Sequence, residues 1–132
     1  IVYVPLRTEV DFRTRFLLPQ ATRVLEIPPR ASLDPVMEAM RVRKVTDNKS
    51  TVILLPGRTF DAGGTRYGRG GGWYDRFLAH VPVEWTRIGF CFEDQFSREP
   101  LIRQPWDEPM DYVVVVPRTG GSPALYETGA RS

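Results

Sequence analysis

Arg66, Arg69 and Asp75 share a ten-residue span with Tyr67, Trp73 and Tyr74, interleaved with Gly68, Gly70, Gly71 and Gly72. Two guanidinium groups offer planar forks that match phosphate or carboxylate oxygens. Consecutive glycines let the backbone approach a ligand closely and turn its N–H groups toward an anion. Asp75 falls in the first turn of a helix, where an acid either meets the helix dipole or serves as a cation ligand. A hard cation bridging phosphates takes one or two such carboxylates plus water. The aromatic faces could flank a flat heterocycle, although Trp73 and Phe77 are also spaced to pack on one helix face. Together these residues suit the handling of a phosphorylated ligand.

The elements around them are legible from pattern. Seven of the eleven glycines lie between Gly57 and Gly72, so the chain concentrates its backbone freedom in one place. The apolar run Thr51–Leu55 enters this stretch as a strand and Trp73–Ala79 leaves it as a helix, whose N-terminus adds partial positive charge. No Lys-Ser or Lys-Thr pair follows the glycines, which excludes a Walker A loop. Trp73 stands where a dinucleotide fingerprint needs its last glycine. A flexible surface loop ending in a glycine turn is the alternative, and the charges and aromatics among the glycines argue against it.

Elsewhere, Ile1–Pro5 reads as a strand and Asp11–Leu18 as a short helix stopped by Pro19. Asp34–Met40 reads as a helix with Asp34 as its cap and Pro35 in its first turn. Arg43–Ser50 is polar and expected to be a surface connection. Thr86–Phe92 and Tyr112–Val116 are continuous apolar strands of the kind found in parallel sheets covered on both faces. Strands alternating with helices predict an α/β open sheet with ligands at the carboxyl ends of its strands. Residues 1–116 are expected to form this domain, and 117–132, rich in Gly, Ser, Thr and Pro without periodicity, a flexible tail.

Composition narrows the function classes. A chain of 132 residues with 42% hydrophobic and 26% charged content can build one ordinary core. Sixteen of the eighteen basic residues are arginine, but a net charge of +2 gives no broad field for nucleic acid. No apolar run has the length of a membrane span. The single cysteine, Cys91, lies in the apolar run Ile88–Phe92, where it reads as a core residue; this agrees with a reducing cytoplasm. His80, the sole histidine, ends the helix after the glycines and offers no Ser-His or Cys-His arrangement.

The stretch Leu55-Pro56-Gly57, Phe60-Asp61, Gly64, Arg66-Tyr67-Gly68-Arg69-Gly70-Gly71-Gly72-Trp73-Tyr74-Asp75-Arg76 closely resembles the signature of the 5-formyltetrahydrofolate cyclo-ligases. Tyr3 and Glu9-Val10-Asp11 upstream, and Ile88–Phe92, Gln95, Pro105-Trp106-Asp107 and Met110-Asp111-Tyr112 downstream, are similar to further family segments in the same order. The resemblance implies a Rossmann-like three-layer α/β/α fold with an open, mostly parallel sheet. It implies ATP and Mg²⁺ as cofactors and 5-formyltetrahydrofolate as substrate, in a cytoplasmic monomer or small homo-oligomer without nucleic-acid or membrane partners. The formyl oxygen would be phosphorylated by ATP, and N10 of the folate would then close the ring and expel phosphate.

Carried onto this chain, the resemblance assigns Arg66, Tyr67, Gly68, Arg69, Gly70, Gly71, Gly72, Trp73 and Tyr74 to the nucleotide. Glu9, with Arg69, Gly70, Gly71, Gly72 and Trp73, would contact the folate. Arg69 and Tyr74 would be catalytic, and Asp75 and Asp107 would hold the metal. Asp61 is open to a turn-capping role as well as to ligand contact. Trp73 replaces the tyrosine usual in the family, keeping a stacking face but losing a hydroxyl. The family's N-terminal helix, whose basic residues help to hold ATP, is expected to lie outside this sequence. A divergent member that binds nucleotide or pterin without ring closure is the alternative reading.

Overall fold

The computed structural model describes residues 2–3, 26–27, 34–46, 51–68 and 70–131. Glu9 and Arg69, the helix expected over residues 11–18 and the end of the expected connection at 47–50 lie outside the described residues.

The main sheet is built from the three apolar runs read in the sequence. Strands β3 (Val52–Leu55), β6 (Thr86–Phe92) and β8 (Tyr112–Val116) lie side by side and parallel, in the order β3-β6-β8. Strands β1 (Val2–Tyr3) and β2 (Glu26–Ile27) form a short parallel pair, with β1 close to β3. Alternation along the strands divides the core between two faces. Ile53, Leu55, Cys91, Val113 and Val115 point to one face, and Leu54, Phe90, Val114 and Val116 to the other. Helices α1 (Pro35–Thr46) and α2 (Trp73–Leu78) both cover the first face, through Ala39, Val42, Phe77 and Leu78. The fold is therefore α/β with a mostly parallel sheet, as expected. A helical layer on the second face is not among the described residues.

Helix α1 begins as its sequence requires: Asp34 accepts the Met37 N–H at 3.2 Å on its side chain and the Glu38 N–H at 3.0 Å on its carbonyl. It then runs on to Thr46, past the polar boundary at Arg43. The expected surface connection is thus helical over its first four residues. Pro35, Glu38, Ala39 and Val42 make one buried stripe, while Arg41, Arg43 and Lys44 occupy the solvent face. Two of those cations also sit in the last turn, where they complement the carbonyl end of the helix.

Two further differences concern segments without apolar periodicity. The glycine stretch is not one continuous loop. Thr59–Asp61 (β4) and Arg66–Tyr67 (β5) form an antiparallel hairpin, and β4 also pairs in parallel with Phe96–Ser97 (β7). Local hydrogen bonds set this hairpin: Asp61 accepts the Thr65 N–H at 2.9 Å on Oδ1 and donates its own N–H to the Thr65 carbonyl. The tail, expected to be flexible, carries Ala124–Glu127 (β9), which adds antiparallel to β8. Its register comes from contacts that no local pattern announces. Thr128 Oγ1 donates to the Met110 carbonyl at 2.6 Å, and the Arg131 fork grips both Asp111 oxygens at 2.9 and 2.8 Å.

The Asp111 carboxyl gives this anchor a pH dependence. Burial alone would raise its pKa, but the Arg131 fork, the Arg87 N–H and the two guanidinium charges together hold it below the usual carboxylate range. A carboxyl depressed in the folded state contributes stability above its unfolded pKa and loses it as pH falls through the folded value. Acidification from about pH 4 downward is therefore expected to destabilise the wild type more steeply than Asp111→Asn. Melting curves across that range check it; parallel profiles would remove Asp111 from the acid response.

Candidate functional site

The carboxyl end of β3 opens directly into the glycine stretch, and Phe60 fixes how that stretch lies on the sheet. Phe60 is completely buried. Its ring rests against Gly57 and Gly89, where a Cβ would come within 3 Å of ring carbons. These two glycines are packing surfaces. Gly70, Gly71 and Gly72 are different: their φ angles are 90°, 76° and 65°, a left-handed run that side chains resist. At Gly70 and Gly71 no described residue other than the chain neighbours lies within 4 Å of where a side chain would begin, so a ligand can rest on bare backbone. Their N–H groups donate to no described residue. Arg76 holds the turn from behind, its Nη1 donating to the Gly71 carbonyl at 2.6 Å. Helix α2 has only six residues, so its dipole adds little. The case for an anion rests on the uncovered glycine amides.

Arg66 is placed differently from expectation. It is 8% exposed, and its Nε donates to the Pro56 carbonyl at 2.5 Å. Its guanidinium lies 4.8 Å from the centroid of the Tyr74 ring and beneath Gly68. It thus supplies charge from under the glycine turn instead of a free fork. Tyr67 is committed too, donating its hydroxyl to the Ile102 carbonyl at 2.8 Å. Trp73 stacks on Phe77 at 5.3 Å and meets Tyr74 edge-on at 5.1 Å, so one of its faces is spent on the core. Asp61 is the turn cap and more: its Oδ2 accepts the Leu101 N–H at 2.7 Å. With Arg103 bonded to Thr65 Oγ1 and the Gly63 carbonyl, it straps residues 101–103 onto the hairpin.

That strap brings the second carboxylate in. Asp75 Oδ1 accepts the Glu108 N–H at 3.0 Å, which sets Asp107 beside the first turn of α2. Asp107 Oδ2 accepts the Gln104 N–H at 2.8 Å. Each of the two aspartates keeps one oxygen without a hydrogen bond to a described residue. Burial raises the Asp75 pKa from its ordinary value; the Glu108 N–H and the Arg66 charge oppose this, while Asp107 and Glu108 add to it. A carboxylate kept partly dry among other acids favours arrival of a cation. No group of three or more candidate metal ligands occurs among the described residues. Two carboxylates alone suit a cation that also brings phosphate or water oxygens.

Sequence reasoning missed Glu108, whose backbone makes this junction, and Arg87, whose side chain holds Glu108 at 2.8 Å. The available signal was Arg87 itself, a charge inside the apolar strand Thr86–Phe92. Cys91 is buried, and burial together with Asp94 pushes its thiol up to about 12, so it has no nucleophilic role at neutral pH. Among the described residues no helix is long and apolar enough to cross a membrane.

Comparison with known proteins places these features in a family context. The sequence model of the 5-formyltetrahydrofolate cyclo-ligase family matches residues 4–116. The 5-formyltetrahydrofolate cyclo-ligase of Mycoplasma genitalium is 23% identical over 121 residues, covering 86% of this chain and 69% of that protein. That of Mycolicibacterium smegmatis is 34% identical over 73 residues, 55% of this chain and 37% of that protein. Among solved structures, a 5,10-methenyltetrahydrofolate synthetase from Mycoplasma pneumoniae superposes with a TM-score of 0.55 at 22% identity, covering 86% of this chain and 70% of that one. The Aquifex aeolicus 5,10-methenyltetrahydrofolate synthetase gives the same TM-score at 24% identity, covering 96% and 70%.

Proposed function

Because the chain belongs to the 5-formyltetrahydrofolate cyclo-ligase family, we propose that it converts 5-formyltetrahydrofolate to 5,10-methenyltetrahydrofolate at the expense of ATP. The observation that carries this reading is the run Gly70–Gly72, held left-handed with amides that donate to no described residue, three residues before Asp75, whose Oδ1 bonds the segment that carries Asp107. Bare amides suit the phosphates of ATP, and the free oxygens of the two aspartates suit a Mg²⁺ that shares those phosphates. The donor set fits a metal–nucleotide complex better than a metal alone.

In this assignment the amides of Gly68 to Gly72 and the Arg69 side chain hold the phosphates. Arg66 offsets their charge from below, and Asp75 and Asp107 take the cation. Glu9, Tyr74 and the outward part of Trp73 orient the folate. Bound Mg²⁺ would neutralise charge on the phosphates. The reaction asks for no protein nucleophile, in keeping with the inert Cys91. The formyl oxygen of the substrate displaces ADP from the γ-phosphoryl group; N10 then attacks the activated carbon and phosphate leaves. What the chain supplies is alignment of two ligands and neutralisation of the transferring group.

The test is absorbance in the methenyl-folate band with protein, 5-formyltetrahydrofolate, ATP and Mg²⁺. Growth of the band only when all components are present is the expected result. Binding of ATP or folate by calorimetry without such growth would favour a non-catalytic binder, and no binding would end the reading.

A further inference from the structure

We propose that Arg87 is a positioning residue that sets the spacing of Asp75 and Asp107 by clamping residues Glu108 and Pro109 against helix α2, an inference that rests on the ligase reading of the same site. Arg87 is 3% exposed, and its guanidinium faces helix α2 and the 108–109 segment. Nη1 donates to Glu108 Oε2 at 2.8 Å and to the Pro109 carbonyl at 3.4 Å; Nη2 donates to the Leu78 carbonyl at 3.4 Å. Its Nε finds no acceptor among the described residues.

A buried guanidinium with one donor unmatched is an expensive way to stabilise a fold. An apolar side chain of similar volume in place of such a pair is often neutral or stabilising. Geometry gives Arg87 a second task. Leu78 lies three residues after Asp75, so both fall on one face of α2. The 107–109 segment is therefore held to α2 at two points. The Glu108 N–H meets Asp75 in the first turn, and the Arg87 fork ties the Glu108 carboxylate and Pro109 carbonyl to Leu78 in the last. Remove the fork and only the Asp75 bond remains between this segment and α2. The spacing of the two aspartates that would hold a shared cation would then loosen. Lys at this position would keep the charge but lose the directions of the fork.

The experiment is a Mn²⁺ titration by electron paramagnetic resonance, in the presence of a non-hydrolysable ATP analogue. In Arg87→Met we expect Mn²⁺ affinity about tenfold weaker, the scale typical of groups that orient metal ligands. The melting midpoint should fall, since Glu108 loses its partner, but binding of the analogue to the folded variant in metal-free buffer should stay near wild type, which a merely structural role would not produce. Arg87→Lys should recover part of the lost affinity. Wild-type Mn²⁺ affinity in folded Arg87→Met overturns the proposal. Should that variant not fold, Glu108→Gln breaks the same pair from its partly exposed side and is judged by the same criterion. Wild-type protein that binds no Mn²⁺ with the analogue would bring down the ligase reading and this inference with it. Wild-type binding with unchanged variants removes Arg87 alone.

Discussion

Asp75→Asn is expected to lower turnover by about a hundredfold or more while leaving the melting midpoint no lower than wild type. On the proposed assignment, turnover falls because the substitution would remove a charged oxygen from the cation that offsets charge on the transferring phosphoryl group. Such electrostatic stabilisation is worth several kcal/mol, and each 1.4 kcal/mol or so is tenfold in rate. Stability follows the opposite sign. The folded Asp75 carboxyl is raised above its ordinary range, chiefly by burial. Such a group is most favourable when protonated, and that advantage is lost as pH rises through its folded pKa. Ionising this side chain is therefore less favourable in the folded chain than in the unfolded one, a cost that a neutral amide avoids. Asparagine keeps an oxygen to accept the Glu108 N–H. Calorimetry and the methenyl-band assay on one preparation check both halves. Turnover within a few-fold of wild type would remove Asp75 from the cation site. A collapse in melting point would make it a structural cap.

Gly89→Ala is expected to cost about 3 kcal/mol and to lower the melting midpoint by roughly 10 °C. A methyl group there would meet the Phe60 ring, with Cδ1 at 2.8 Å and two other ring carbons also inside van der Waals contact. Phe60 has little room to retreat, since it is completely buried and its Cε2 and Cζ already lie 2.9 Å from where a Cβ on Gly57 would stand. Gly89 lies in β6, paired to Leu55 of β3 and Val113 of β8, so the backbone cannot shift without breaking two ladders. Denaturant midpoints compare the two proteins. The displaced ring would also shift the hairpin that carries Arg66, so a stable Gly89→Ala with wild-type nucleotide affinity would disprove this account of how the glycine stretch is seated.

The sequence by itself determined the main strands, the existence of both helices and the family. Continuous apolar runs such as Thr86–Phe92 and Tyr112–Val116 can be buried on two faces in one way, and their observed bounds match the runs. Asp34 and Pro35 start a helix by chemistry confined to one turn. Where the outcome depended on partners distant in the chain, local pattern was silent. Residues 124–127 look like a tail until Arg131 finds Asp111, and β4 and β7 become a pair only when Phe60 lies opposite Phe96. The same limit applied to the site. Gly57 and Gly70 are identical letters, yet one is packed beneath a ring and the other left open. Arg66 reads as a free fork, and only the fold brings the Pro56 carbonyl and the Tyr74 ring to it. Family likeness implies that Asp75 and Asp107 act together, but what ties their segments in the fold is the Glu108 N–H, thirty-three residues from Asp75. Residue type fixes what chemistry is available. Burial and long-range hydrogen bonds, which belong to the folded chain alone, decide which of those groups remains free to perform it.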